Sequence, residues 1–116
     1  MEQLIRRLTK IRNTTDNIGW GAYDYKPFIK TDREDTVAQA VLVVGHNVYR
    51  KTYTLFLEKF SDGSYRVSLM NDCKPDEVIV SSSDTDYILA RVIKYLKIWF
   101  PEIRRRVHEN TTKRRT

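Results

Sequence analysis

The sequence predicts an α+β fold, a single domain in which an antiparallel sheet of four to five strands packs against a kinked C-terminal helix and a short N-terminal helix. Three observations predict it. Apolar residues recur at helical spacing only near the two ends of the chain, while the middle consists of short β-rich runs punctuated by turn formers. No helix-period segment separates those runs, which argues against parallel βαβ units. A chain of 116 residues also suits one core and not two. Residues 1–107 are read as that domain and 108–116 as a basic flexible tail.

Leu4, Ile5, Leu8 and Ile11 share one side of a helix of about three turns, with Arg6, Arg7, Lys10 and Arg12 around the remaining arc. "NTTDNIGWG" supplies the turn formers that stop it. In "WGAYDYKPFIK" the alternation predicts a short strand ending near Pro27, at a sheet edge or strand end because proline has no N–H to donate. "TDREDT" is read as an exposed acidic loop. "VAQAVLVV" is almost continuously apolar, which fits a central strand covered on both faces or a short buried helix capped by Gly45, so 36–45 stays open between the two. "TYTLFLEKF" and "SYRVSLM" flank "SDGS", where Asp-Gly between β-rich runs signals a hairpin. Tyr65, Val67 and Leu69 form one face of its second strand and Ser64, Arg66 and Ser68 the other, which predicts a solvated face there. "NDCKPDE" is read as a polar turn around Pro75, and "VIVSS" as a last short strand.

The closing helix starts at "SSSDTDY", with Ser83 as the expected N-cap and Asp84 and Asp86 favourably placed at the positive end of the helix dipole. Wound at about 100° per residue, Leu89, Val92, Ile93, Leu96, Phe100, Ile103 and Val107 share a face, with Ile88 and Trp99 on its flank. The stripe keeps its phase across Pro101, which predicts a kink or restart and not an end. Arg91, Lys94, Lys97, Arg104 and Arg105 fall on the opposite face with Tyr87 and Ile98, and Arg106 lies toward the flank.

The net charge of +6 is unevenly placed. Residues 1–12 carry four Lys/Arg against one acid, 13–83 carry eight against ten, and 104–116 carry six against one. Basic ends around a slightly acidic middle suggest an anionic partner met by the termini. The longest apolar run, 40–44, is far short of a membrane span. The N-terminus lacks the continuous apolar centre of a signal peptide, so a cytoplasmic protein is expected with no membrane partner. The single cysteine, Cys73, excludes an internal disulfide.

Catalytic signatures are thin. His46, His108 and Cys73 make no recognised zinc spacing, so no metal and no cofactor are expected. Glu58-Lys59 with Asp62 or Asp76 is the nearest approach to a nuclease-like grip on Mg²⁺, and no phosphate-cradling glycine loop is present. The order of helix, antiparallel strands and helix loosely resembles that of double-stranded-RNA-binding domains. Those domains open their last helix with a lysine-rich phosphate clamp, however, and "SSSDTDY" is acidic, so no residue carries over.

A non-enzymatic nucleic-acid-binding protein is therefore the leading expectation. The phosphate-contacting set is Arg6, Arg7, Arg91, Lys94, Lys97, Arg104, Arg105, Arg106, Lys113, Arg114 and Arg115. Trp20, Tyr23 and Tyr25 are the candidate base-stacking residues, and Tyr49 and Tyr53 flank a second basic pair, Arg50-Lys51. The partner is then DNA or RNA, held without sequence specificity. The rival is a protein-interaction module, such as a phage- or mobile-element-encoded regulator, adaptor or inhibitor, docking an acidic protein surface through the same basic face or adding a strand at the 20–30 edge. A dimer is compatible with either.

Overall fold

The computed structural model of the chain describes residues 1–11, 18–24, 28–48 and 50–100. Its elements are α1 (Glu2–Thr9), β1 (Ile18–Asp24), β2 (Thr36–His46), β3 (Lys51–Phe60), β4 (Tyr65–Asn71), β5 (Lys74–Ser82) and α2 (Thr85–Trp99). The five strands form one sheet in sequence order, each antiparallel to the next, so every connection is local. This is the predicted α+β arrangement.

Both helices lie on one face. Leu4 and Leu8 of α1 and Ile88, Val92 and Leu96 of α2 bury against Ile18, Ala40, Leu42, Val44, Leu55, Leu57, Val67 and Val80. Segment 36–45, left open between strand and helix, is β2, and the reason is coverage. Ala40, Leu42, Val44 and His46 face the helices while Gln39, Val41 and Val43 face the other way, so an apolar run serves two covered faces. β3 repeats the pattern, with Leu55 and Leu57 toward the helices and Phe56, Glu58 and Phe60 behind.

The "SDGS" hairpin forms as expected. Asp62 accepts from the backbone N–H and the hydroxyl of Ser64, and Gly63 takes a φ of +87° that a side chain would resist. The next connection is tighter than predicted. β5 begins at Lys74, inside "NDCKPDE", because Asp72 and Cys73 at φ 50° and 64° make a two-residue turn with Asn71 paired to Lys74. Both central residues of such a turn are left-handed, a geometry Asp tolerates and Cys does not favour. Pro75 is accommodated because β5 is the edge strand and the register shifts beside it.

Two details of α2 differ from expectation. Asp84, not Ser83, is the N-cap: its backbone is extended and its carboxylate accepts from the N–H groups of Asp86 and Tyr87 at 3.0 and 3.3 Å. A carboxylate placed there also sits against the helix dipole. Ile88 lies at the centre of the buried stripe and not on its flank, since the helix is rolled to bring Tyr95 and Trp99 against the sheet. Trp99 stacks on Tyr53 at 4.4 Å between ring centroids. The predicted continuation through Pro101 to Val107 lies outside the described residues.

The largest correction concerns the face away from the helices. Segment 28–35, which contains most of the "TDREDT" expected as an exposed acidic loop, crosses that face and covers it. The Gln39 side-chain amide donates to the carbonyl of Ile29 and accepts from its N–H at 2.7 and 2.8 Å. Thr31 donates to Glu58 at 2.9 Å, and Arg33 lies 3.5 Å over the Phe60 ring. Ser68, assigned to a solvated face, is 2% exposed. Apolar Phe56 and Phe60 on the same side supply the burial that fixes the segment there.

Candidate nucleic-acid interface

Cations occur on both sides of the sheet, and their partners separate them. Behind the sheet, Glu58 is fully buried and receives the guanidinium of Arg66 at 2.8 Å, while Thr31 and Thr36 donate to its second oxygen. Arg66, its side chain only 14% exposed, also bridges to Asp32 at 2.7 Å. Arg33 pairs with Asp35 at 2.5 Å and lies 3.7 Å from Asp62. The hydrogen bond from Arg66 holds the Asp32 carboxyl below its ordinary pKa, that from Arg33 does the same for Asp35, and those from Ser64 for Asp62. Every carboxylate in this group is occupied by a cation or donor, so the cluster is a clasp holding segment 28–35 to the strands.

On the helix side the pattern reverses. Arg6 of α1, Lys10 at its end, and Lys94 and Lys97 of α2 are exposed, and among the described residues none has a carboxylate within ion-pair distance. Arg7 reaches across to the start of α2, donating to Thr85 at 2.7 Å and pairing with Asp86 at 2.5 Å. Arg91 is half-buried with its guanidinium 6.0 Å from the Tyr95 ring centroid. Tyr87 and Ile98 are 49% and 58% exposed, and with Arg91 and Lys94 they follow the i, i+4, i+7, i+11 spacing of one outward stripe. This is the mixed polar face the sequence predicted.

The candidate stacking residues divide. Tyr23 is 63% exposed and, with Glu2, Ile5, Arg6 and Ala22, lines a shallow depression of about 240 Å³ between α1 and β1. Trp20 is half-buried against the core and donates its indole N–H to the Ile11 carbonyl at 3.1 Å. Tyr53 is the half-buried partner of Trp99. Tyr25, Tyr49, Arg12, Arg104, Arg105, Arg106, Lys113, Arg114 and Arg115 lie outside the described residues, as does His108.

The remaining chemical candidates are dispersed. Glu58 and Lys59 point to opposite faces of β3. Lys59 lies 5.9 Å from the Tyr65 ring on the helix side, whereas Glu58 is bound into the clasp behind. His46 is buried against Phe100, its Nδ1 accepts from the Val48 N–H at 3.2 Å, and burial lowers its pKa. Cys73 is exposed in its turn. Among the described residues no three acidic, histidine or cysteine side chains are placed to hold a metal ion, and no helix is long and apolar enough to cross a membrane.

Sequence reasoning missed the clasp. The contacts that tie it to the sheet, made by Thr31, Thr36 and Arg66 to Glu58 and by Arg66 to Asp32, join residues between 8 and 34 apart in the chain, so no local pattern reveals them. The one available signal was Phe56 and Phe60 flanking Glu58 on the same side of a strand, which requires a cover. The chain matches no known protein family, no curated protein and no solved structure.

Proposed function

We propose that the protein is a small non-enzymatic nucleic-acid-binding protein that contacts phosphate through its helix layer and its basic termini. The observation that carries this reading is the segregation of cations. Arg33 and Arg66 are held by carboxylates behind the sheet, whereas Arg6, Lys10, Lys94 and Lys97 stand exposed on the helix layer. Exposed cations lose little on meeting phosphate and release its condensed counterions, whereas a paired arginine would first have to give up its carboxylate. Arg7 and Arg91 border the same surface, and in sequence Arg104, Arg105 and Arg106, then Lys113, Arg114 and Arg115, follow the end of α2. Tyr23, exposed on the face of β1 away from the helices, offers a ring to an unpaired base at that edge. Such contacts position a nucleic acid without reading its sequence. An exposed, unpaired cysteine accords with a reducing, cytoplasmic setting.

The test is equilibrium binding of labelled single- and double-stranded DNA and RNA across a salt series. The expected result is a steep loss of affinity with salt, with a smaller slope when Arg104, Arg105 and Arg106 are all alanine and again when Lys94 and Lys97 are. Absence of binding at low salt, or a slope untouched by both variants, overturns the reading. A second reading, docking of an acidic protein surface on the helix layer, is favoured by Tyr87 and Ile98 standing exposed among those cations. It predicts instead that Tyr87→Ala and Ile98→Ala abolish the interaction while salt alters mainly its on-rate.

A further inference from the structure

The two outer strands of the sheet are defended unequally. β5 carries Lys74, Pro75, Asp76 and Glu77 in its first four residues and shifts register twice against β4. Charges, proline and bulges are the usual devices that stop an edge from recruiting a foreign strand. β1 has none of them over its first six residues: "IGWGAY" is uncharged, unbroken in register against β2, and contains two glycines. In an antiparallel pair, alternate residues turn both backbone groups away from the partner, so the outer side of β1 presents a row of donors and acceptors. Among the described residues no strand pairs with that side.

Beside this edge lies the depression lined by Glu2, Ile5, Arg6, Ala22 and Tyr23. Ala22 pairs with Leu42 and so faces the helix layer, where Ile5 and Arg6 of α1 form the wall. A strand added to β1 would direct every second side chain into that space, one against Ile5 and Ala22 and its neighbour two residues along against Arg6. Arg6 has no carboxylate within ion-pair distance among the described residues, even though Glu2 lies one turn before it. A second copy of the chain is the poorer occupant. Two-fold pairing of β1 with itself would set two α1 helices side by side, each bearing Arg6 and Lys10 against Glu2, with Arg7 already paired to Asp86. Like charges so placed oppose the contact, and an acidic guest does not meet that opposition.

We infer that the outer edge of β1 is a docking site for an extended peptide segment of a partner protein, one with an aliphatic and an acidic side chain two residues apart. Backbone pairing supplies the affinity, and the depression with Arg6 supplies the selectivity. The inference shares Arg6 with the proposed phosphate surface, but it rests on the β1 edge and its test reads peptide affinity alone.

The test starts from a random displayed peptide library panned on the full chain, followed by titration of the best synthetic peptide using Trp20 fluorescence. Enriched sequences should carry an acid and an aliphatic residue in i, i+2 register. N-methylation of the peptide backbone should cost about tenfold or more in affinity at alternate positions and little at those between, the period of a strand ladder. Arg6→Glu should weaken the peptide about tenfold, and replacing the peptide's acid by lysine should restore binding to that variant. No enriched peptide, an N-methyl scan without alternation, or affinity indifferent to Arg6→Glu overturns the proposal. So does a concentration-dependent dimer, blocked by the N-methylated peptide, since the occupant would then be a second copy.

Discussion

The two sides of the sheet use the same residue types to opposite ends. Behind it, Arg66 is nearly enclosed, touching Glu58, Asp32 and, at 5.3 Å, the Phe60 ring. On the helix side, Arg6, Lys94 and Lys97 hold their charges in water with no carboxylate beside them among the described residues. Environment, not residue identity, decides whether a cation holds the fold together or remains available to a partner. A buried pair contributes through geometry and is expensive to break, whereas an exposed cation contributes almost nothing to folding.

The comparison breaks most visibly in stability. Arg66→Ala leaves Glu58 charged and fully buried with only two hydroxyl donors, so it should cost about 3 kcal/mol. Arg6→Ala and Lys94→Ala should stay within about 0.5 kcal/mol of the parent. Urea denaturation of the three variants measures the contrast, and equal losses would show that the two sides are not distinct.

Nucleic-acid affinity should show the reverse order. Replacing Arg6, Lys94 and Lys97 together by alanine should weaken binding about tenfold or more at low salt and reduce the log–log salt slope by up to about 0.9 for each phosphate left unneutralised. Arg33→Gln should leave both unchanged, because that guanidinium is already committed to Asp35 and Asp62. Fluorescence anisotropy on one labelled oligonucleotide decides it. A loss with Arg33→Gln equal to that of the helix variants would place the interface behind the sheet.

Acid should discriminate next. Asp32, Asp35 and Asp62 titrate below the ordinary aspartate value in the folded state, so their stabilisation is complete above that value, about 3.9, and is lost as pH falls through the lowered ones. Burial lowers the His46 pKa, which adds a milder loss as pH falls below about 6.5, where the unfolded chain takes up a proton that the folded chain resists. Denaturation midpoints between neutral and strongly acidic pH should therefore fall in two stages. An Asp32→Asn, Asp35→Asn variant should start lower at neutral pH and lose less in the acidic stage. Nucleic-acid binding should persist over this range until folding fails.

How much of this was legible in the sequence follows the range of the interactions. The "SDGS" hairpin and the amphipathic helices at the two ends rest on patterns within a dozen residues and formed as expected over the described residues, whereas the doubly apolar run of β2 was compatible with strand or helix until its two covered faces were seen. The outward positions of Arg6, Lys94 and Lys97 follow from helical spacing alone. The engagement of Arg7 by Asp86, 79 residues away, does not, nor does the use of "TDREDT" as a cover. A polar segment folds onto a sheet only if the opposing strands supply matching charge, and that match exists only once the register is set. The turn at Asp72 and Cys73 was missed for a different reason, since its residues lack the Asn-Gly or Asp-Gly signature of the geometry they adopt.

The finest probe of the comparison exchanges arginine and lysine without changing charge. Arg66 donates from Nε to Glu58 at 2.9 Å while Nη1 and Nη2 reach the two oxygens of Asp32 at 3.2 and 2.7 Å, a fork no ammonium can copy. Arg66→Lys should therefore cost about 1 kcal/mol, retaining the charge but losing either the buried or the outer carboxylate. On the helix layer, Lys94→Arg or Arg6→Lys should change neither stability nor the salt slope, because phosphate met in solvent needs a positive charge and no fixed geometry. If Arg66→Lys proves silent, the clasp is a matter of charge alone and its difference from the helix side is one of burial only. If Arg6→Lys instead alters binding, the helix-layer contact has geometry of its own, and the phosphate reading would have to include a bidentate site at the α1–β1 depression.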